Sequence, residues 1–225
     1  MNVFDILGPV MVGPSSSHTA GAARIGFVAK KLLGESPVQA TILLHGSFAA
    51  TGVGHGTQKA LVAGLLGMMP DNMDIPNSFE LAKKAGLSVK TGTVVLRDVH
   101  PNTALLKLKG ASGRQLEVVA SSLGGGRISV VRLNGIETNF SGSCPTLVVY
   151  NHDKPGHVAA ITGALSRSGI NIATMQLYRN KRGGLAVTVL ECDERISQKA
   201  LHEVEETEGV TQVTYLDANE NEELR

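Results

Sequence analysis

Residues 14–21 read Pro14-Ser15-Ser16-Ser17-His18-Thr19-Ala20-Gly21, and a helical pattern follows them directly. Small and apolar residues recur at three- and four-residue spacing as far as Leu33, and Gly34 marks the predicted end of the helix. The hydroxyl-bearing residues therefore lie at a helix N-terminus, where free N–H groups and the helix dipole attract an anion. One serine could simply cap the helix, and the histidine could be structural. Three serines, a histidine and a threonine in succession favour a loop that binds a ligand.

A second loop of unusual composition follows a predicted strand over 38–44. It runs His45-Gly46-Ser47-Phe48-Ala49-Ala50-Thr51-Gly52-Val53-Gly54-His55-Gly56-Thr57 and leads into a predicted helix over 57–66. Neither the GxGxxG pattern nor the GxxxxGK(S/T) pattern of nucleotide-binding loops is present. The separation of His45 and His55 does not match the i,i+4 spacing of helical metal sites. Each histidine alone can be structural, but together with His18 they form a candidate shared site.

The rest of the first unit favours β-structure. Short strands are predicted over 93–97, 104–109, 115–121 and 128–133. We expect an α+β unit in which helices pack on one antiparallel or mixed sheet. The polar, turn-rich residues 139–145 predict a linker, so the expected domains are 1–143 and 146–218. Residues 3–7 could form a short helix or strand, and 219–225 a charged tail.

Composition and charge limit the possible partners. The 225 residues are 42% hydrophobic and 18% charged, with a net charge of +1. Residues 1–145 carry 13 Lys/Arg and 8 Asp/Glu, whereas 146–225 carry 8 and 12, which supports two units. No basic run with interleaved aromatic residues indicates a nucleic-acid partner, and no apolar run approaches the ~20 residues of a membrane span. With no signal-peptide pattern, we expect a cytoplasmic protein.

Cysteine usage bears on cofactors. The chain has two cysteines, Cys144 and Cys192, and neither lies in a CxxC motif. This agrees with a reducing compartment. Because a typical iron–sulfur cluster needs three or four thiolates, we expect no metal centre in this chain.

The second unit has a regular pattern. Strands are predicted over 146–150, 170–178, 184–191 and 210–216, and helices over 157–168 and 196–206. The order βαββαβ is the ferredoxin-like arrangement.

Two motifs in this unit make the resemblance specific. Asp153-Lys154-Pro155-Gly156 before the helix, with Gly169-Ile170-Asn171-Ile172 after it, resembles an ACT domain, a small-molecule sensor of amino-acid metabolism. The resemblance implies side-by-side self-association with the ligand at the interface. The positions that would hold an amino-acid effector are Asn151, Asp153, Gly156 and Asn171. An acid at position 153 suits an ammonium group better than a carboxylate. Alternatively, this ACT unit only dimerises.

The whole chain also resembles one family. Residues 13–21, the downstream His45-Gly46-Ser47 and the ACT-like tail are similar to the beta chain of bacterial iron–sulfur-dependent L-serine dehydratases. The first unit is also similar to the allosteric substrate-binding domain of some phosphoglycerate dehydrogenases. The resemblance implies an alpha-chain partner whose [4Fe-4S] cluster acts as a Lewis acid on serine. Loss of the α-proton and of water then yields aminoacrylate, which hydrolyses to pyruvate and ammonium.

We therefore expect the loop 15–19 to close against the alpha-chain site. Its hydroxyls would bind the substrate carboxylate, and His18 would hydrogen-bond the substrate or assist proton transfer. The candidate catalytic residues are Ser16, Ser17, His18 and Thr19. The candidate substrate- or anion-binding residues are Ser15, His45, Gly46 and Ser47.

Two alternatives remain open from the sequence. In one, the chain is a purely regulatory subunit whose first unit binds serine or another anion allosterically. In the other, it is a free-standing metabolite sensor that dimerises through its ACT unit. A catalyst complete in this chain has the least support, because no metal triad and no nucleophile–base pair is visible.

Overall fold

A computed structural model describes residues 10–52 and 54–217. The chain forms two compact units, Met1–Ser141 and Gly142–Arg225. The predicted element over 3–7 and the charged tail over 219–225 lie outside the described residues.

The first unit combines helices with one mixed sheet. A single π-helical turn over Ser16–Gly21 leads into the first helix. The helices are α1 (Ala22–Leu33), α2 (Gly46–Thr51), α3 (Thr57–Leu66) and α4 (Ser78–Lys84), with a 3-10 turn over Ile75–Asn77. The strands are β1 (Pro37–His45), β2 (Ser88–Thr93), β3 (Thr103–Gly110), β4 (Gln115–Gly124), β5 (Arg127–Leu133) and β6 (Ile136–Phe140). The predicted α1, β1 and α3 are confirmed, and Gly34 ends α1 with a φ of 78°.

The six strands lie in the order β2-β1-β3-β4-β5-β6. Strand β1 pairs with β2 in parallel and with β3 antiparallel, so the sheet is mixed. Helices α1 and α3 touch through two glycines: a Cβ at Gly26 would overlap the carbonyl of Leu61, and a Cβ at Gly64 would overlap the carbonyl of Ala23. The two helix backbones therefore approach each other closely, which brings the loops before them together.

One predicted strand is wrong in position. The expected strand over 93–97 instead occupies 88–93, because β2 pairs with β1 in register and the pairing ends where β1 ends. Val94 N–H still donates to the carbonyl of Leu44 (2.9 Å), after which the chain leaves the sheet. The short elements α2, α4 and β6 were not predicted.

The second unit is the predicted βαββαβ fold. Its elements are β7 (Thr146–His152), α5 (His157–Arg167), β8 (Ile172–Arg179), β9 (Leu185–Cys192), α6 (Gln198–Glu205) and β10 (Val210–Leu216). The antiparallel sheet has the order β10-β7-β9-β8, so β8 is an edge strand. A buried core joins α5 and α6 to one sheet face through residues such as Leu147, Ile161 and Leu190.

In the part of the chain that the structure describes, no helix combines the length and the apolar character required to cross a membrane.

Candidate functional site

The serine-rich loop forms a half-buried turn whose backbone is held by a contact with strand β4. The Ser15 hydroxyl caps it by accepting a hydrogen bond from the His18 backbone N–H (3.1 Å). Ser122 on β4 donates its hydroxyl proton to the carbonyl of Ser17 (2.9 Å) and leaves no room for a Cβ at Gly21. Residues 15–18 remain partly exposed. The β4 contact therefore holds the backbone while the side chains stay accessible.

His18 lies at the centre of a polar cluster. Its Nε2 atom is 3.0 Å from the Thr51 hydroxyl and 3.3 Å from the Ser47 hydroxyl. Its Nδ1 atom is 3.4 Å from the Ser15 hydroxyl. The centroid of the His55 ring lies 4.8 Å from that of His18. The structure thus brings three predicted residues, Ser15, His18 and Ser47, into one site.

The surroundings lower the pKa of His18. Burial is the main cause and the nearby His55 ring the second, and a hydrogen bond with the Ser47 backbone acts in the opposite direction. The lowered pKa favours the uncharged form of the His18 imidazole, which is the form able to accept a proton.

The hydroxyls of Ser16 and Ser17 make no hydrogen bond to another described residue. Both side chains are partly exposed at the start of the π-helical turn. They are therefore available to a small polar ligand.

Thr19 does not fit its predicted catalytic role. Its side chain is only 2% exposed, and its hydroxyl donates to the backbone carbonyl of His55 (3.2 Å). It also packs against Gly13, which has a φ of 131°. Because Thr19 is buried below the loop, its hydroxyl cannot contact a substrate, and it instead ties the two loops together.

His45 and Gly46 also lie apart from the cluster. His45 Nδ1 accepts the Leu96 N–H (3.2 Å) at the end of β1, and no hydrogen bond or ring contact among the described residues joins it to His18. Gly46 has a φ of 55°, and a Cβ there would lie 2.6 Å from the carbonyl of Pro101. That same carbonyl accepts the Ser47 N–H (2.9 Å), so this N–H group is not available to a ligand, whereas the Ser47 hydroxyl and carbonyl face the site.

Thr51 is the residue that the sequence did not reveal, and His55 was only partly anticipated. Thr51 follows Ser47 by four residues on α2, and its hydroxyl donates to the Ser47 carbonyl (2.9 Å). His55 Nδ1 lies 3.0 Å from the Thr51 carbonyl. The i,i+4 spacing of Ser47 and Thr51 was the available signal, but it has meaning only once α2 is known.

Asn151 and Asp153, two of the four expected effector positions, make hydrogen bonds to other residues of the second unit. Asn151 is 2% exposed, donates from Nδ2 to the carbonyl of His152 (2.8 Å) and accepts from Thr188 (3.4 Å). The Asp153 carboxylate accepts the Gly183 N–H (2.9 Å) and a hydrogen bond from Arg179 (2.8 Å), which together lower the pKa of Asp153.

The other two effector positions flank different ends of α5. Gly156 precedes the helix with a φ of 94° and lines a groove of about 430 Å³ with Lys154 and His157. Asn171 follows the helix, donates from Nδ2 to Asp193 (2.6 Å) and lines a second groove of about 710 Å³. One protomer therefore does not gather all four positions into a single pocket.

Comparison with known proteins assigns the family. The model for the serine dehydratase beta chain matches residues 2–132, and the ACT domain model matches 146–209. The chain belongs to the serine dehydratase beta-chain family. It is 40% identical over 213 residues to the probable L-serine dehydratase beta chain of Bacillus subtilis, covering 95% of this chain and 96% of that one. It is 37% identical over 217 residues to the L-serine dehydratase beta chain of Peptoniphilus asaccharolyticus, covering 96% and 98%.

This beta-chain family member also has a more distant relative. It is 24% identical over 197 residues to the D-3-phosphoglycerate dehydrogenase of Bacillus subtilis, covering 87% of this chain and 37% of that protein. The family and the ACT domain inferred from sequence motifs are thus confirmed.

The described residues of this beta-chain family member do not fit an iron–sulfur cluster. No group of three or more His, Cys, Asp or Glu residues among them is arranged to hold a metal ion. Burial raises the pKa of the Cys192 thiol to about 11 and is the main cause of the raised pKa of Cys144. Since the thiolate is the form that binds metal, neither cysteine is a prepared ligand.

Proposed function

We propose that this chain is the beta subunit of an L-serine dehydratase, which converts L-serine into pyruvate and ammonium together with an alpha chain. The observation that carries the proposal is the half-buried His18, surrounded by the hydroxyls of Ser15, Ser47 and Thr51 and having a lowered pKa. A neutral imidazole beside unpaired serine hydroxyls suits a small zwitterionic substrate that must exchange a proton.

Each group of the loop has a defined task in this proposal. The hydroxyls of Ser16 and Ser17 donate to the substrate carboxylate at the start of the π-helical turn. His18 accepts or returns a proton during the loss of the α-proton and the β-hydroxyl, which leave together as the elements of water. The resulting aminoacrylate takes up water and releases ammonium, so one water is lost and one is regained.

The [4Fe-4S] cluster implied by the family resemblance belongs to the alpha chain in this proposal, because the described residues here offer no ligand set for it. When bound there, it supplies a Lewis acid for the substrate. The beta chain contributes hydroxyl groups, a base and one wall of the site. The proposed location of this alpha–beta heterodimer is the cytoplasm, because its substrate is a metabolite and its cysteine thiols are kept reduced there.

The proposal is tested by co-expressing the chain anaerobically with its alpha partner and measuring pyruvate formed from L-serine. We expect turnover by the complex and none by either chain alone, because each chain supplies only part of the site. Turnover by the alpha chain alone at the rate of the complex would instead establish the purely regulatory alternative. Purification of the beta chain without any cysteine-rich partner, together with an inactive mixture, would support the free-standing sensor.

The ACT unit is proposed to mediate self-association and to bind an amino-acid effector. Met175 and Leu177 on the edge strand β8 are 40% and 38% exposed, and an unpaired strand edge favours pairing with a second copy. Because one protomer divides the effector positions between two grooves, a pair of units would allow positions from both copies to share a ligand.

Charge introduced on this edge is expected to prevent self-association. Met175→Lys combined with Leu177→Lys should shift the beta chain toward monomer in analytical ultracentrifugation. In a dimer formed through β8, the lysines introduced in one copy would repel those of the other. Met73→Lys is the matched control, because Met73 is a 78% exposed methionine in the first unit. An unchanged sedimentation coefficient for the double variant would show that β8 is not the contact.

A further inference from the structure

The hydrogen bonds of Thr51 determine which nitrogen of His18 carries a proton. The Thr51 hydroxyl has one proton and contacts two groups, the Ser47 carbonyl at 2.9 Å and His18 Nε2 at 3.0 Å. A carbonyl oxygen can only accept a hydrogen bond. The hydroxyl proton therefore points to Ser47, and the Thr51 oxygen accepts from His18. Nε2 of the neutral imidazole is thus the protonated nitrogen, and the Ser47 hydroxyl, 3.3 Å from Nε2, is a second acceptor for this proton.

The other nitrogen of His18 faces Ser15. The Ser15 oxygen already accepts the His18 backbone N–H (3.1 Å), so its own proton is available for donation. Nδ1 lies 3.4 Å from that oxygen and carries no proton in this tautomer. The basic lone pair of His18 is consequently on the side of the serine-rich loop.

The backbone carbonyl of Thr51 also orients the imidazole of His55. His55 Nδ1 lies 3.0 Å from the Thr51 carbonyl, which can only accept, so Nδ1 of His55 is protonated and Nε2 carries the lone pair. The centroids of the two rings lie 4.8 Å apart, and their hydrogen bonds assign them opposite tautomers.

The geometry points to Thr51 as a positioning residue that sets the tautomer of His18, so that Nδ1 beside Ser15 is the nitrogen that exchanges a proton with substrate. The catalytic meaning of this assignment rests on the proposed function. The tautomer itself rests on the contact with Thr51, whose oxygen lies closer to Nε2 (3.0 Å) than the Ser47 hydroxyl does (3.3 Å), and the hydrogen bond made by one ring nitrogen decides the state of the other. The buried Phe48 ring packs edge-on against His18 (5.2 Å between centroids) and restricts its reorientation.

The first test is spectroscopic and does not depend on activity. In the full-length chain labelled with 15N-histidine, at a pH where His18 is neutral, we expect a protonated Nε2 and an unprotonated Nδ1. His55 should show the reverse, and spectra of His18→Ala and His55→Ala identify the signals. A proton found on Nδ1 of His18 overturns the proposal.

The second test uses paired substitutions in the alpha–beta complex. Thr51→Val removes the acceptor at nearly constant volume and is expected to lower kcat on the order of tenfold, with little change in KM. Thr51→Ser keeps the hydroxyl and should restore turnover, while Thr91→Val on the exposed strand β2 should have no effect. Equal activity of the valine variant and the wild type, or failure of serine to restore activity, contradicts a positioning role.

The two tests separate this inference from the proposed function. A protonated Nε2 together with unchanged turnover in His18→Ala would leave the tautomer assignment intact and reject the catalytic role of the cluster. If Thr51→Val fails to fold, the wild-type spectrum still decides the tautomer.

Discussion

Replacing His18 by alanine is expected to lower kcat of the alpha–beta complex on L-serine by about 10²–10⁴-fold, the range typical of a lost general acid or base. His18 is the imidazole that the hydroxyls of Ser15, Ser47 and Thr51 surround. Pyruvate formation measured over a range of L-serine concentrations separates kcat from KM. His202→Ala is a suitable control, because His202 is an exposed residue of α6 whose ring lies beside the neighbouring Glu205 and Glu206.

The pH profile of the same complex provides a second measurement for His18. Burial and then the charge of His55 lower the pKa of His18 below 6.5, so the neutral base persists to lower pH than for a free histidine. We expect kcat/KM to be level near neutral pH and to fall on acidification, with an inflection below 6.5. Among the residues that the structure describes, His55 is the titratable group beside the His18 ring, so His55→Gln should move this inflection upward.

The same lowered pKa has a consequence for folding. Because the unfolded chain binds the proton more tightly, this contribution to stability is fully present above pH 6.5 and is lost as the pH falls toward the folded pKa.

Unchanged kcat and KM in His18→Ala would reject the catalytic assignment, whatever the pH profile of the wild type.

Gly64→Ala is expected to have the largest effect on stability. A Cβ at this position would overlap the carbonyl of Ala23 and crowd the backbone of Phe27. Overpacking against rigid backbone costs about 1–3 kcal/mol and sometimes more, whereas alanine gains only ~1 kcal/mol over glycine in a helix. We therefore expect a net loss in the free energy of unfolding, measured by urea denaturation followed by circular dichroism.

A glycine in another helix provides the control for this substitution. Gly163 lies within α5, and a Cβ there would meet only the flexible end of Arg167. Gly163→Ala should leave stability unchanged or raise it by up to ~1 kcal/mol. If Gly64→Ala were as stable as the wild type, the close approach of α1 and α3 would be wrong.

Periodicity predicted most of the fold. The elements α1, β1, α3 and the whole βαββαβ unit appear where the pattern of apolar residues places them, because each buries one face against a sheet or helix. Strand β2 was displaced because its own sequence alternates weakly and its ends are decided by the length of β1. The loop 45–57 contains the short helix α2, whose six residues are too few for a periodic signal.

By itself, the sequence of this protein determined its two units, its family, the helix that follows the serine-rich loop and the lack of cysteines for a cluster. Only the tertiary structure decided that His55 rather than His45 lies against His18, that Thr51 joins the site and that Thr19 is buried. The reason is physical. Local propensity governs helices and strands, but contacts between residues 29 to 37 positions apart depend on the α1–α3 backbone approach at Gly26 and Gly64, which no local pattern encodes.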